Sequence, residues 1–290
     1  MDFDPAERTA VNGLANLALQ EDLGVEGDLT SLALIPANLR GQALFVARAA
    51  GTVAGLPAAH FTYELVDHQV AFINLIEDGA VVEVGAKLAI VSGRMRSILT
   101  GERTALNFLQ HLSGIATLTR KYTSFVADLP CKVLDTRKTT PGWRLLEKYA
   151  VRCGGGKNHR MGLHDAILIK DNHLAALGPQ PDAVAKAVKR ARQKYDHRFP
   201  IEIEVDNLDQ FDIALSTEPD IVLLDNMQPD QMREAVRRRN LANPAVLLEA
   251  SGGVNLMTIR AIAETGVDRI SVGALTHSAV ALDIALDYIA

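Results

Sequence analysis

From Pro130 onward, short apolar runs alternate with stretches of helical periodicity, and nearly every run stops on polar residues or glycine. Lys132 to Leu134 leads into Asp135, Arg137 and Lys138; Ala166 to Ile169 leads into Lys170; Ile201 to Val205 carries Glu202 and Glu204; Ile221 to Leu224 ends at Asp225. Ala245 to Leu248 leads into Glu249, Ser251 and the Gly252-Gly253 pair, and Arg269 to Val272 ends at Gly273. Strands that alternate with helices pair in parallel, because each crossover helix returns the chain to the same side. Polar groups repeated where such strands stop gather their chemistry at one end of the sheet, as in barrel enzymes. Six runs fall short of eight, so an incomplete barrel is expected, with Leu145 to Arg152 the place for one further strand.

Upstream the texture differs. Val11, Leu14, Ala15, Leu17 and Ala18 follow helical spacing until Gly24 and Gly27, which predicts a first helix. Between Gly41 and Gly93 lie β-type runs at Ala43 to Ala47, Val70 to Ile76 and Val81 to Val91, punctuated by glycines, which reads as a small sheet domain. Residues 102 to 126 then place Ala105, Leu106, Leu109, Leu112 and Ile115 on one helical stripe. The 290 residues are 48% hydrophobic, enough for a large core, and the formal net charge of -5 gives no global field for nucleic acid or anionic lipid. The two cysteines, Cys131 and Cys153, are too few for a disulfide framework. With no apolar signal core at Met1 to Arg8 and no run of membrane-spanning length, a cytoplasmic chain is expected.

Against the acidic background, Asp135 to His173 concentrates Arg137, Lys138, Arg144, Lys148, Arg152, Lys157, His159, Arg160, His164, Lys170 and His173. A charge run alone reads as a solvated face, but several of these residues flank strand ends, and Gly154 to Gly156 implies a tight path before Lys157 to Arg160. Guanidinium groups match carboxylates bidentately, so a small polyanion is the expected ligand. The glycines fit neither phosphate-loop nor dinucleotide spacing, which leaves ATP and NAD unsupported. Zinc on His159, His164 and His173 is disfavoured by their basic neighbours, and no protein-ligated metal is expected. Ser251-Gly252-Gly253 precedes the helical pattern of Leu256 to Ala263, where backbone amides would meet a phosphate, and Ser271 to Gly273 is a second wall. Period-2 alternation places Glu202 and Glu204 on one strand face, with Glu204 nearer the functional end. With Asp225 it forms an acidic counterpart for ribose hydroxyls, magnesium or a salt bridge.

Eight strings fall in the order of one family: Glu21-Asp22-Leu23-Gly24 with Asp28-Leu29-Thr30, Gly101 to Asn107, Asp135 to Gly142, Gly154-Gly155-Gly156 through Arg160, Lys170 to His173, Glu202 to Val205, Leu224-Asp225-Asn226 and Ser251-Gly252-Gly253. Over nearly its whole length the chain resembles quinolinate phosphoribosyltransferases. The resemblance implies an α/β protein with an N-terminal α/β sandwich and a C-terminal incomplete α/β (TIM-like) barrel. The expected divisions are residues 1–115, 116–275, and a C-terminal helix over 276–290 packing back on the first domain. It implies a homodimer, or a higher assembly of dimers, using quinolinate and phosphoribosyl pyrophosphate with magnesium carried by the pyrophosphate. By the same resemblance Thr136, Arg137, Lys138, His159, Arg160 and Lys170 match positions around the carboxylates and phosphates, and Arg103 one that a neighbouring subunit supplies. Glu204 and Asp225 match acids near ribose and magnesium, and Ser251, Gly252, Gly253 and Gly273 the 5'-phosphate pocket. Lys138, Glu204 and Asp225 are the candidates for chemistry. The alternatives are a sister transferase for another base and a sugar-phosphate lyase or isomerase, which leaves the cationic cluster unexplained.

Overall fold

The computed structural model describes residues 2–178 and 182–289. The chain begins with α1 (Pro5–Leu23), α2 (Leu29–Leu34), β1 (Arg40–Ala47), β2 (Gly51–Thr52), α3 (Leu56–Val66), β3 (Ala71–Asn74), β4 (Val81–Val82) and β5 (Lys87–Arg94). It continues through α4 (Met95–Ser124), β6 (Lys132–Leu134), α5 (Arg144–Cys153), β7 (Ile167–Ile169), α6 (Asp171–Leu177), α7 (Asp182–Tyr195) and β8 (Ile201–Val205). It closes with α8 (Leu208–Leu215), β9 (Ile221–Asp225), α9 (Pro229–Ala242), β10 (Leu247–Ser251), α10 (Ile259–Ala263), β11 (Arg269–Ser271), α11 (Ala274–His277) and β12 (Ile284–Ile289). Two compact units result: Met1–Arg120 with Lys138–Gly156 and Leu275–Ala290, and Lys121–Arg137 with Lys157–Ala274. The expected divisions at 115 and 275 therefore miss one excursion, since residues 138–156 belong with the first unit.

In the first unit an antiparallel sheet of order β12-β1-β5-β3 packs Phe45, Leu88 and Val91 against Tyr63, Ile98 and Leu109. Burying an aromatic or leucine side chain of this kind stabilises by roughly 1.5–3 kcal/mol. Helix α1 starts from a reciprocal cap in which the Glu7 amide donates to Asp4 Oδ1 at 2.8 Å and the Asp4 amide to Glu7 Oε2 at 2.9 Å. Close approach decides one glycine on α4. A Cβ on Gly114 would stand 2.3 Å from the Val280 carbonyl oxygen. The C-terminal segment is not the expected helix: β12 runs antiparallel to β1, from Ala47 opposite Ile284 to Gln42 opposite Ile289. Leu282, Ala285, Leu286 and Ile289 fit helical spacing while Ile284, Leu286 and Tyr288 fit a strand period, and the free edge of β1 offers backbone partners that an isolated helix would not need. A second correction concerns Leu145 to Arg152, which lies within α5 rather than in a seventh strand.

The second unit holds a six-stranded parallel sheet of order β6-β11-β10-β9-β8-β7. Successive strands are neighbours, and the first strand, β6, pairs with the last, β11; this is the order of a barrel interrupted at one seam, between β6 and β7. Beyond β6 the free edge receives a one-residue bridge, with the Lys157 amide donating to the Val133 carbonyl at 2.8 Å. One sheet face is apolar: Ile201, Ile203, Val205, Val222, Leu224, Leu248 and Ala250 are fully buried. The other carries charge, because I-E-I-E-V, L-L-E-A-S and R-I-S put polar residues at every second position. The register aligns Glu204 with Leu223, Leu223 with Glu249 and Glu249 with Arg269, so a charged row crosses the sheet. One residue pair further on, Asp225 lies beside Ser251, and Ser271 beside Leu134.

Candidate active site

The C-terminal ends of the parallel strands gather part of the expected set. Lys170, the residue before α6, places Nζ 3.4 Å from Glu204 Oε2. Burial raises the Glu204 carboxyl above the ordinary range; Lys170 opposes this, and the charge of Asp225 adds to it. The two acids therefore sit in one another's field, with Lys170 paired to Glu204. Beside them, Asn226 adopts a left-handed φ of 53° and donates from Nδ2 to Asp225 Oδ2 at 2.7 Å, while its amide donates to the Ser251 carbonyl at 2.9 Å. Gly252 has φ +89°, and a Cβ there would lie 2.1 Å from Asn226 Oδ1, so the turn after β10 is tied to the end of β9. Gly253 also has positive φ and is exposed, and Gly273 follows β11.

The phosphate turn differs from expectation in one respect. Helix α10 starts only at Ile259, and the amides of Met257 and Thr258 already donate to Asn255 Oδ1 at 2.9 and 3.2 Å. A phosphate at Ser251 to Gly253 would meet the turn backbone, not the first turn of a helix.

His159 and Arg160 stand apart from Glu204. His159 is buried, with Nε2 3.0 Å from Glu202 Oε2 and 3.4 Å from Glu249 Oε1. Its amide donates to Asp135 Oδ1 at 2.9 Å, and its Nδ1 accepts the Arg160 amide at 2.7 Å. Glu249 in turn accepts from Arg269 Nε at 2.5 Å. A cavity of about 500 Å3 borders this network, lined by His159, Arg160, Glu202 and Arg269 and by Ile221 and Leu247, which open their strands. It lies toward the N-terminal ends of the sheet. Arg160 donates to the Ala166 carbonyl at 3.2 Å; burial and then the charge of Arg137 lower its affinity for its proton. The Nε of Arg137 is buried without a hydrogen-bond partner. Thr136 precedes it, partly exposed just beyond the buried Asp135.

Arg103 and Lys138 belong to the first unit. Arg103 is exposed on α4 and lines a hollow of about 250 Å3 with Glu21, Asp22, Asn107 and Trp143. Lys138 is exposed, and its carbonyl accepts the Thr276 hydroxyl at 2.7 Å. The three histidines considered for zinc have separate surroundings. His173 accepts the Lys170 amide at 2.9 Å, and His164 is exposed. Among the described residues the compact metal-type group is His159, Glu202 and Glu249, with donor atoms within 4.8 Å. Its hydrogen bonds oppose that use: Nδ1 accepts an amide, so a neutral ring carries its proton on Nε2, the atom a metal would require. Glu249 and Arg269 were not singled out from the sequence. Their signal was the same alternation that marked Glu202, two positions before Ser251 and Ser271.

Comparison with known proteins places the chain in a family. Residues 28–113 match the N-terminal domain model of quinolinate phosphoribosyl transferase, and residues 115–287 its C-terminal domain model. The chain is 45% identical over 288 residues to the nicotinate-nucleotide pyrophosphorylase [carboxylating] of Mycobacterium leprae, covering 99% of this chain and 98% of the relative. It is 44% identical over 271 residues to a probable enzyme of the same name from Synechocystis, covering 93% and 90%. The solved nicotinate-nucleotide pyrophosphorylase from Francisella tularensis superposes with a TM-score of 0.90 at 41% identity, over 97% of this chain and 96% of that one. With both domain models matched and full-length relatives above 40% identity, the chain belongs to the quinolinate phosphoribosyltransferase family.

Proposed function

We propose that this enzyme transfers the phosphoribosyl group of phosphoribosyl pyrophosphate to quinolinate, releasing pyrophosphate and carbon dioxide and forming nicotinate mononucleotide for NAD biosynthesis. The observation that carries this reading for the dicarboxylate is the Arg137–Arg160 pair. Two guanidinium groups feel each other's charge, and Arg137 Nε is buried without a partner. An ionised donor left unsatisfied inside a protein is costly, and a planar carboxylate supplies the acceptor and the opposite charge together. Quinolinate has two such groups, one on the ring carbon next to the nitrogen and one on the carbon after it. Clamping them aims the nitrogen at the anomeric carbon, which is chiefly a gain in positioning.

In the transfer, the nitrogen bonds to the anomeric carbon as the bond to pyrophosphate breaks, the electron pair leaving with pyrophosphate. Positive charge grows on the ribose, and Glu204, held by Lys170, is our candidate to face it, with Asp225 alongside for the ribose hydroxyls. Lys138 and Lys170 are candidates for the charge on the pyrophosphate, and Ser251, Gly252, Gly253 and Gly273 for the 5'-phosphate. Once the ring is cationic it accepts the electron pair of the adjacent carbon–carboxylate bond, carbon dioxide departs, and that ring carbon takes up a proton. Magnesium would arrive on the pyrophosphate and neutralise part of its charge. It keeps its waters readily, and the Glu204 and Asp225 carboxylates suit hydrogen bonds from such waters. By the same family reading the working form is a homodimer, or an assembly of dimers, with Arg103 entering a neighbour's site.

The test is turnover of the purified chain with phosphoribosyl pyrophosphate and magnesium, with quinolinate in one arm and nicotinate in the other. Mononucleotide and carbon dioxide from quinolinate alone are expected. Turnover of nicotinate with silence toward quinolinate would retain the fold and overturn the substrate.

A further inference from the structure

The charged network beneath the phosphate-binding end has a proton count that its hydrogen bonds constrain. The Arg160 amide points its hydrogen at His159 Nδ1 from 2.7 Å, so that nitrogen is an acceptor and the ring's single proton is on Nε2. That proton faces two carboxylates, Glu202 at 3.0 Å and Glu249 at 3.4 Å. Arg269 balances Glu249. Among the described residues no arginine or lysine makes an ion pair with Glu202, which is 2% exposed and feels the charges of Arg269 and Arg160 only from further off, and Oε1 of each glutamate is buried without a hydrogen-bond partner. A lone buried carboxylate is expensive, and the usual remedy is a proton shared between neighbouring acids.

We propose that Glu202 and Glu249 together hold one proton, and that by accepting the Nε2 hydrogen of a neutral His159 they fix this ring and the Arg160 backbone bound to it. Glu202, Glu249 and Arg269 are thus positioning residues for the arginine that receives a quinolinate carboxylate, a role resting on the function proposed above. The charges around Glu202 agree. Burial and then the charge of Glu249 raise the Glu202 carboxyl, whereas in Glu249 the effect of burial is outweighed by His159 and Arg269, which bring it down. Both glutamates also pull the imidazole up, against burial, to about 9, which taken alone would put the extra proton on the ring. The Arg160 amide occupies the ring position that proton would need, so it resides on the acids. The other groups facing the network are Cys131, which feels Glu249, Arg160, which feels Glu202, and Asp165, across the cavity.

The experiment combines 15N-histidine NMR of the full-length protein with kinetics of Glu202→Gln and Glu249→Gln, His159 being assigned by loss of its signal in His159→Asn. The His159 resonances should show the neutral Nε2–H form without titration from about pH 6 to about pH 8, where an ordinary histidine changes charge. Glu202→Gln keeps the shape and replaces the proton by an amide hydrogen, so its KM for quinolinate should stay within about threefold of the parent. Glu249→Gln leaves Arg269 uncompensated, and should raise that KM by about tenfold or more with little change in kcat. A His159 signal in the imidazolium form would overturn the proposal, as would equal damage from both glutamines. If Glu249→Gln fails to fold, the tautomer and Glu202→Gln still decide. The NMR arm needs no turnover, so a wrong substrate assignment would leave it intact and appear only in the kinetics.

Discussion

In the proposed transfer Glu204 has to be ionised to meet a cationic sugar, yet its surroundings favour the neutral acid. Burial is the largest influence and raises its carboxyl; Lys170 lowers it and Asp225 raises it again. Activity that depends on the anion is lost as pH falls through the folded value, and a raised value moves that loss to higher pH than for a free glutamate. The stability effect has the opposite sign: the folded chain holds this proton more tightly than the unfolded one, so the group's contribution declines as pH rises from the unfolded to the folded value. The acid limb of log kcat against pH should therefore lie above the ordinary value of 4.5. Glu204→Gln should abolish that limb and lower kcat by roughly 10²–10³ with little change in thermal midpoint. Lys170→Met should shift the limb of its residual activity upward. A limb unchanged in Lys170→Met would separate the lysine from the acid. Glu204 was legible in the sequence because strand alternation needs no tertiary information. The Glu249–Arg269 pair was not, since a bond between residues twenty positions apart requires knowing that β10 and β11 are neighbours and in which register.

At the scale of elements, the six parallel strands were readable because each is a short apolar run bounded by polar residues, and both sides of that signal are local. The exceptions arise where local sequence permits two answers. Residues 284–289 fit helix or strand, and the unpaired edge of β1 decided for strand; the Asp287–Arg48 ion pair then closes on the exposed side. Leu145 to Arg152 was ambiguous in the same way and became helix, its buried face including Leu146, Tyr149 and Ala150. Deleting the chain from Ile284 onward should therefore do more than trim a tail. Ile284 and part of Leu286 leave the core and β1 regains a free edge, which should cost about 2–5 kcal/mol and promote edge-to-edge association. Calorimetry and light scattering would read a lower thermal midpoint together with concentration-dependent aggregates. An unchanged midpoint would mean that β12 covers the sheet without supporting it.

Over the whole molecule, a parallel sheet normally buries apolar residues on both faces, whereas here one face does so and the other carries Lys170, Glu202, Glu204, Asp225, Glu249 and Arg269. The fold accepts that cost only where the charges pair with one another or with ligands, so the same sequence alternation specifies both the sheet and its chemistry. The division into units was less legible than the elements: the return of residues 276–290 to the first unit was expected, but that of residues 138–156 was not, because it is set by non-local packing. Arg103 poses the corresponding question between chains. It is exposed on α4 of the first unit, while Glu204 and the turn at Ser251 to Gly253 are in the second unit. If a neighbouring subunit supplies Arg103, then Arg103→Ala and Glu204→Gln damage different chains of one site. A mixed dimer restores one intact site by taking Arg103 from one chain and Glu204 from the other, so random exchange of equal amounts should recover about a quarter of the parent activity. Activity after mixing, with exchange verified by native mass spectrometry, checks this. Verified exchange without recovery would place Arg103 in the service of its own chain.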